Sequence, residues 1–259
     1  MKAPFLNKIF LSNNIKYNKS EYPFNIDYIK NGNLNLIIKK PVVIIVGDNG
    51  TGKTTLLKAI SQHCGFNIYG GNQDHFYESE KAVSYPETLA IQKLNSILTY
   101  SWNIKVNSGF FMRADSFIHF QNYLDNLAEE LKGMYSKEDI YGYYGGKSLN
   151  EQSHGESFLS LFSNRFDKKG IYVLDEPDAA LSPNKLLTFM SIIKNLTDTG
   201  NAQFIISTHS PILMSYPYAQ FLYISNGNIT ETTYEESEHY KTTVDFLKNK
   251  EKYFKYLFE

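Results

Sequence analysis

Three stretches of the chain are apolar at nearly every position rather than at alternate ones: PVVIIVG (41–47), GIYVLDE (170–176) and AQFIISTHS (202–210). Continuous runs of β-branched and aliphatic residues at strand length predict strands buried on both faces, as in a parallel sheet. The first ends in Gly47, and the other two end in polar residues at their carboxyl ends, where open parallel sheets gather ligands. TTLLKAISQH (54–63) and NKLLTFMSIIKNL (184–196) carry the helical rhythm instead, the second as the crossover between the last two strands. An α/β fold with a mostly parallel central sheet follows.

The middle of the chain has a different pattern. From about Gly65 to Glu151, loops rich in Gly, Asn and Tyr (YGGNQDHFYESE, YGYYGG) surround two predicted helices, PETLAIQKLNSILTY and SFIHFQNYLDNLAEELK, with SGFFMRAD as a short strand between them. This span is expected to be an insertion carrying a helical subdomain. Near the C-terminus, FLKNKEKYFKYLF groups its apolar residues at 246/247, 253/254 and 257/258, which suits one helical face packed on the domain or on a partner.

Composition narrows the function classes. At 259 residues the chain suits one core with an inserted subdomain, and 42% hydrophobic against 20% charged residues is a globular balance. A formal net charge of −1 offers no global field for nucleic acid or anionic lipid. The single cysteine, Cys64, excludes an intramolecular disulfide and no zinc-ligand spacing occurs, consistent with a reducing cytoplasm. MKAPFLNKIFLSNN reads as no signal peptide, and no apolar run approaches the ~18 residues of a membrane span.

The segment GDNGTGKT, Gly47 to Thr54, matches the phosphate-loop pattern and sits where that motif must sit, between a buried strand and a helix. Backbone N–H groups of Asn49, Gly50, Thr51, Gly52 and Lys53 would cradle phosphate oxygens of ATP, with Thr55 just inside the helix. Lys53 would bridge the β and γ phosphates, and the Thr54 hydroxyl would ligate Mg²⁺. At the end of the second strand Asp175 would complete the Mg²⁺ shell, and Glu176 is suited to orient or deprotonate the attacking water. His209, ending the third strand in STHSP, could sense the γ-phosphate. DAALSP (178–183) reads as a turn with Ser182 as N-cap and Pro183 at the first helical position. In NEQSHGES (150–157), Ser153 and Glu156 fit a capping box at a helix start.

Taken together, the phosphate loop, QSHGE, LDEP, AALSP and His209, in this order, resemble the nucleotide-binding domain of the ABC ATPase superfamily. Glu156 makes the chain more similar to the SMC and double-strand-break repair branch than to transporters. YPFNI (22–26), GFFMRADSF (109–117), YGGKSLNEQSHGESF (144–158), QFIISTHSPILMSYP (203–217) and EHYKTTVDFL (238–247) resemble a group of small bacterial ATPases labelled AAA. The resemblance implies a single ABC-type domain over 1–259. Its nucleotide-binding core would comprise 1–65 and 158–259, with N-terminal antiparallel strands and an inserted helical and signature subdomain over 66–157. It also implies a head-to-tail, ATP-dependent homodimer in which Ser153, Gly155 and Glu156 of one copy close over the ATP of the other. His154 stands where the signature pattern has Gly, and would either contact nucleotide or fill space. No Gln ends a mid-domain strand in the usual way; Arg113, Asp115 and Gln92 are the alternatives for that role. Tyr17, Tyr22 and Phe24 are the alternatives for stacking on adenine.

Three functions are compatible with these residues: a cytoplasmic ATP-driven switch in repair, stress or phage defence with an unidentified protein effector, the ATP-binding subunit of an ABC transporter, and an ATP-gated binding module with negligible turnover.

Overall fold

Burial alternates along the central strands. Val42, Ile44 and Val46 enter one apolar cluster while Val43 and Ile45 enter a second, so the strand they form is covered on both faces. In the computed structural model, which describes residues 2–13, 15–72, 85–165 and 169–258, this strand is β3 (Val42–Gly47). It follows β1 (Leu6–Leu11) and β2 (Asn35–Ile37), and precedes β4 (Leu98–Trp102), β5 (Gly109–Arg113), β6 (Gly170–Asp175), β7 (Ala202–Ser207), β8 (Gln220–Ser225) and β9 (Asn228–Thr232). The central sheet has the order β5-β6-β7-β3-β8-β9, parallel throughout except for β9 at its edge. A smaller antiparallel sheet, β2-β1-β4, carries the expected N-terminal strands.

The helices are α1 (Asp27–Lys30), α2 (Lys53–His63), α3 (Tyr85–Ser96), α4 (Phe117–Glu130), α5 (Lys137–Tyr141), α6 (His154–Arg165), α7 (Pro183–Asp198), α8 (Pro211–Met214), α9 (Glu238–Lys248) and α10 (Lys250–Phe258). One face of the central sheet packs against α4, α6 and α7 through Phe117, Phe120, Phe158, Phe162 and Phe189. The other packs against α2, α3 and the small sheet. Gln203, fully buried in β7, joins the two sheets: its Oε1 accepts from the backbone N–H of Phe5 (2.8 Å) and Leu6 (2.9 Å), and its Nε2 donates to the Leu6 carbonyl (2.8 Å). A buried amide survives there because every polar atom involved has a partner.

One expectation is corrected. The helix read over PETLAIQKLNSILTY stops at Ser96, and its last residues begin β4, where Leu98, Thr99 and Tyr100 pair with Leu11, Phe10 and Ile9 of β1. Aromatic and β-branched residues prefer the pleated surface a partner strand offers, and here that partner outweighs helical rhythm. β4 thereby belongs to the small sheet, while the short strand expected in SGFFMRAD is β5, at the edge of the central sheet beside β6. Residues 73–80 of the loop YGGNQDHFYESE lie outside the described residues. At the C-terminus the apolar groups do share a face, with Phe246 against Tyr253 and Phe254, and Phe254 against Phe258. Asn249 ends α9 and turns the chain into α10, so these rings pack on one another, and neither helix has a buried residue. Among the described residues no helix is long and apolar enough to cross a membrane.

Candidate functional site

The phosphate loop takes the shape its glycines require. Gly50 and Gly52 have φ of +80° and +89°, in the left-handed region that side chains avoid. A Cβ at Gly52 would also meet Ile26 Cγ2 at 2.7 Å and the Tyr28 hydroxyl at 2.9 Å. Tyr28 is buried and donates to the Gly52 carbonyl (2.9 Å), bracing the loop from the N-terminal segment; burial raises its pKa. Among the described residues the backbone N–H groups of Gly50, Gly52, Lys53 and Thr54 make no backbone hydrogen bond, which leaves these donors open at the start of α2, where the helix dipole also favours an anion. Lys53 Nζ donates to the carbonyls of Gly47 (2.6 Å) and Asp48 (2.9 Å). Its pKa is lowered by burial, against the opposing pull of Glu176, Asp175 and Asp48.

A cavity of about 500 Å³ opens over this loop, within the range of small-ligand pockets. Asn49 to Thr55 form its floor and Glu176 one wall, while Tyr22, Ile26, Tyr28 and Asn226 belong to the rest. Of the three aromatic alternatives for adenine, Tyr22 reaches this cavity; the residue is 43% exposed and its hydroxyl lies 3.2 Å from Thr55 Oγ1. Phe24 is buried, and Tyr17 packs on it at 5.1 Å between ring centroids while donating to the Ile29 carbonyl (2.9 Å).

A second cavity of about 240 Å³ adjoins it, lined by Thr54, Arg113, Ala114, Asp115, Asp175, Glu176 and Ala179. Asp175 is buried at the end of β6 and accepts from the Ser207 hydroxyl (2.5 Å), the residue opposite it on β7. Opposite it on β5 stands Arg113, whose Nη2 donates to Asp115 (2.6 Å) and whose Nε lies 3.7 Å from Asp175 Oδ2. Arg113 and Asp115 thus occupy the mid-domain position, whereas Gln92 is exposed on α3 and lines neither cavity. Among the described residues no cluster of three or more His, Cys, Asp or Glu could hold a metal by itself. One buried carboxylate beside one hydroxyl nevertheless fits Mg²⁺, which keeps waters and takes the rest of its shell from substrate phosphates.

Glu176 has a φ of +52°, a left-handed conformation costly for a non-glycine residue. Its backbone N–H donates to the Ser207 carbonyl at 3.1 Å, and the residue lines both cavities. His209 Nε2 stands 3.7 Å from Glu176 Oε1, and the other ring nitrogen, Nδ1, lies 3.4 Å from Nε2 of His239. Between these groups the Thr208 hydroxyl donates to Asp178 (2.5 Å), tying the turn after β6 to the end of β7. Ser182 makes no side-chain cap, although Pro183 does open α7.

The signature segment lies elsewhere. Among the described residues, none of 150–157 lines either cavity. The capping box at α6 forms in half: Glu156 Oε2 accepts from the Ser153 backbone N–H (3.0 Å) and also from the Ser153 hydroxyl (2.6 Å). The hydroxyl therefore serves Glu156 as a donor, and it accepts in turn from Lys185 Nζ (3.2 Å). These bonds, with Lys185 nearby, hold the Glu156 carboxyl below its usual range. Gly155 is required by close approach, since a Cβ there would lie 2.8 Å from Lys185 Cδ and 3.1 Å from the Ala180 carbonyl. The His154 side chain lies outside what is described. Behind the segment, Asp125 of α4 accepts from Tyr141 (2.7 Å), Ser148 (2.7 Å) and Asn150 (2.8 Å), while Gln121 donates to the Leu149 carbonyl (3.1 Å) and Ser157 Oγ (3.0 Å).

His239, Lys185 and the Asp125 anchor were not singled out from the sequence, nor was the pairing of Asp178, within DAALSP, with Thr208. Each makes contacts to residues remote along the chain or lies in an otherwise ordinary polar helix face, so no local pattern marks them.

Comparison with known proteins agrees with this geometry. A family model described as "ABC transporter" matches residues 31–179, and a second, described as an "AAA domain" and named for the "AbiEii toxin, Type IV TA system", matches residues 158–215. The chain is 26% identical over 214 residues to the tungstate uptake system ATP-binding protein TupC of Campylobacter jejuni, covering 80% of this chain and 60% of that protein. Among solved structures, an ATP-binding cassette of an ABC transporter superposes with a TM-score of 0.51 at 19% identity, covering 98% of this chain and 99% of that one. The SMC head domain from Thermotoga maritima is also similar, with a TM-score of 0.44 at 17% identity over 88% and 98% of the two chains.

Proposed function

This chain belongs to the ABC transporter family of ATP-binding domains, and from that premise we propose that it binds and hydrolyses Mg-ATP as a head-to-tail homodimer with composite sites, acting as a cytoplasmic ATP-driven switch on a protein effector. One observation carries the reading: among the described residues the phosphate-loop cavity draws nothing from 150–157, while in that segment a hydroxyl, a close-packed glycine and a helix start lie together beside Lys185 of α7. Such a receptor suits the γ-phosphate of a nucleotide held by a second copy.

Within each site Asn49 to Thr55 hold the triphosphate, Tyr22 meets the base, and Thr54 with Asp175 hold Mg²⁺, which neutralises phosphate charge when bound. Glu176 accepts a proton from the attacking water as that water's oxygen bonds to the γ-phosphorus. The bond to the β-bridging oxygen breaks, releasing ADP and inorganic phosphate. His209 faces the same region. The helical segment of α4 to α6 is the arm that presents the signature residues to the partner copy.

Gel filtration tests the dimer. Glu176→Gln with Mg-ATP should shift from monomer to dimer, the shift disappearing in Lys53→Ala and weakening in Ser153→Arg. A Glu176→Gln protein that binds ATP tightly and stays monomeric would sink composite sites. A second reading, the ATP-binding subunit of a transporter, is favoured by the relative named for tungstate uptake. Co-purification with a multi-spanning membrane protein would establish it in place of the switch.

A further inference from the structure

The rings of His209 and His239 meet behind the end of β7. His239, the second residue of α9, has its pKa lowered, first by burial and then by His209. The two rings lie 5.5 Å apart between centroids, with His209 Nδ1 3.4 Å from His239 Nε2. Their outer nitrogens, His209 Nε2 and His239 Nδ1, are buried without hydrogen-bond partners. A pair of neutral imidazoles joined nitrogen to nitrogen must have one donor and one acceptor, and that choice fixes which nitrogen of each ring carries its proton.

The surroundings decide the direction. His209 Nε2 points toward Glu176 Oε1 at 3.7 Å. A lone pair on Nε2 would face the carboxylate's own lone pairs, whereas an N–H there is attracted by them. The proton of a neutral His209 therefore belongs on Nε2, leaving Nδ1 as the acceptor, and the donor must be His239 Nε2–H.

We propose that His239 is a positioning residue for His209: by donating from Nε2 to His209 Nδ1 it fixes the His209 ring and keeps its N–H directed at the reaction centre. This rests on the ATPase reading above for its consequence, though not for its geometry. Because α9 packs on α8, which follows His209 directly, the C-terminal helices become part of the catalytic support. Carbonyl or carboxylate partners more commonly orient such a ring; here a second imidazole does so.

Nitrogen-15 NMR of the histidine rings in the nucleotide-free protein tests the pairing without reference to turnover. The expected result is His209 protonated on Nε2 with Nδ1 as a hydrogen-bonded acceptor, and a mixture of tautomers in His239→Ala. In steady-state assays His239→Ala should lower kcat about 10-fold, the low end of the cost of losing an outer support, with KM for ATP nearly unchanged. His239→Gln, which keeps an N–H donor, should recover most of that loss. Should His239→Ala fold poorly, the wild-type spectrum and His239→Gln still decide. A wild-type His209 protonated on Nδ1, or a His239→Ala protein with unaltered tautomer and unaltered kcat, overturns the proposal. Wild-type protein with the expected tautomer but no ATP turnover would instead overturn the ATPase reading and leave the pairing standing.

Discussion

Glu176 and Lys53 are adjacent to the same cavity but fail differently when changed. Lys53 is buried against the loop it closes, so Lys53→Ala removes a fixed charge from the phosphate position and should abolish nucleotide binding measured by calorimetry. Glu176 lines the cavity, and Gln reproduces its carboxylate in shape but not in basicity. Glu176→Gln should therefore lower kcat by roughly 10²-fold or more, the usual contribution of a general base, while ATP still binds. Cys64 reports on a different property. Burial pushes its thiol up to about 12, so at neutral pH it is protonated and inert. Iodoacetamide should label it only as the molecule opens; rapid labelling of native protein would contradict its packing at the end of α2.

At the scale of elements, two joints are held by buried or half-buried polar side chains with several partners each, which makes them sensitive. Gln203→Leu would leave the N–H groups of Phe5 and Leu6 and the Leu6 carbonyl buried without partners. The expected cost is about 3 kcal/mol, or on the order of 10 °C in Tm by calorimetry. An unchanged Tm would mean the two sheets are joined by apolar packing alone. Asp125 is the corresponding joint for the signature segment, since it gathers Tyr141, Ser148 and Asn150 onto α4. Burial, followed by the bond to Asp125, pushes the Tyr141 hydroxyl up to about 12, so it stays a donor at neutral pH. Asp125→Ala should weaken ATP-dependent dimerisation of the Glu176→Gln protein without altering its affinity for ATP as a monomer. Loss of monomer binding instead would show that α4 supports the phosphate loop and not the signature arm.

For the whole molecule, nucleotide should behave as a stabilising ligand: at about 100 times Kd it adds roughly 2.7 kcal/mol, slowing Cys64 labelling in the wild type and not in Lys53→Ala. Equal labelling rates with and without Mg-ATP would show that the cavity over the loop is not where nucleotide binds. The sequence by itself determined the parallel core and its phosphate loop, because continuous apolar runs and a glycine-rich strand-to-helix turn are local patterns with few other solutions. It also placed Asp175, Glu176 and His209 at strand ends, where topology then brought them to one edge. What only the tertiary structure decided were the partners across long separations. PETLAIQKLNSILTY carries a helical rhythm to its end, yet its last residues join β1, since pairing with a distant strand outweighs local rhythm. Tyr17, Tyr22 and Phe24 look alike as aromatics, and only packing against α1 and the phosphate loop separates the one that reaches the cavity from the two that fill the core. His239 sits in an ordinary polar helix face by sequence; its place beside His209 follows from where α9 docks, a free-energy balance spread over the whole chain.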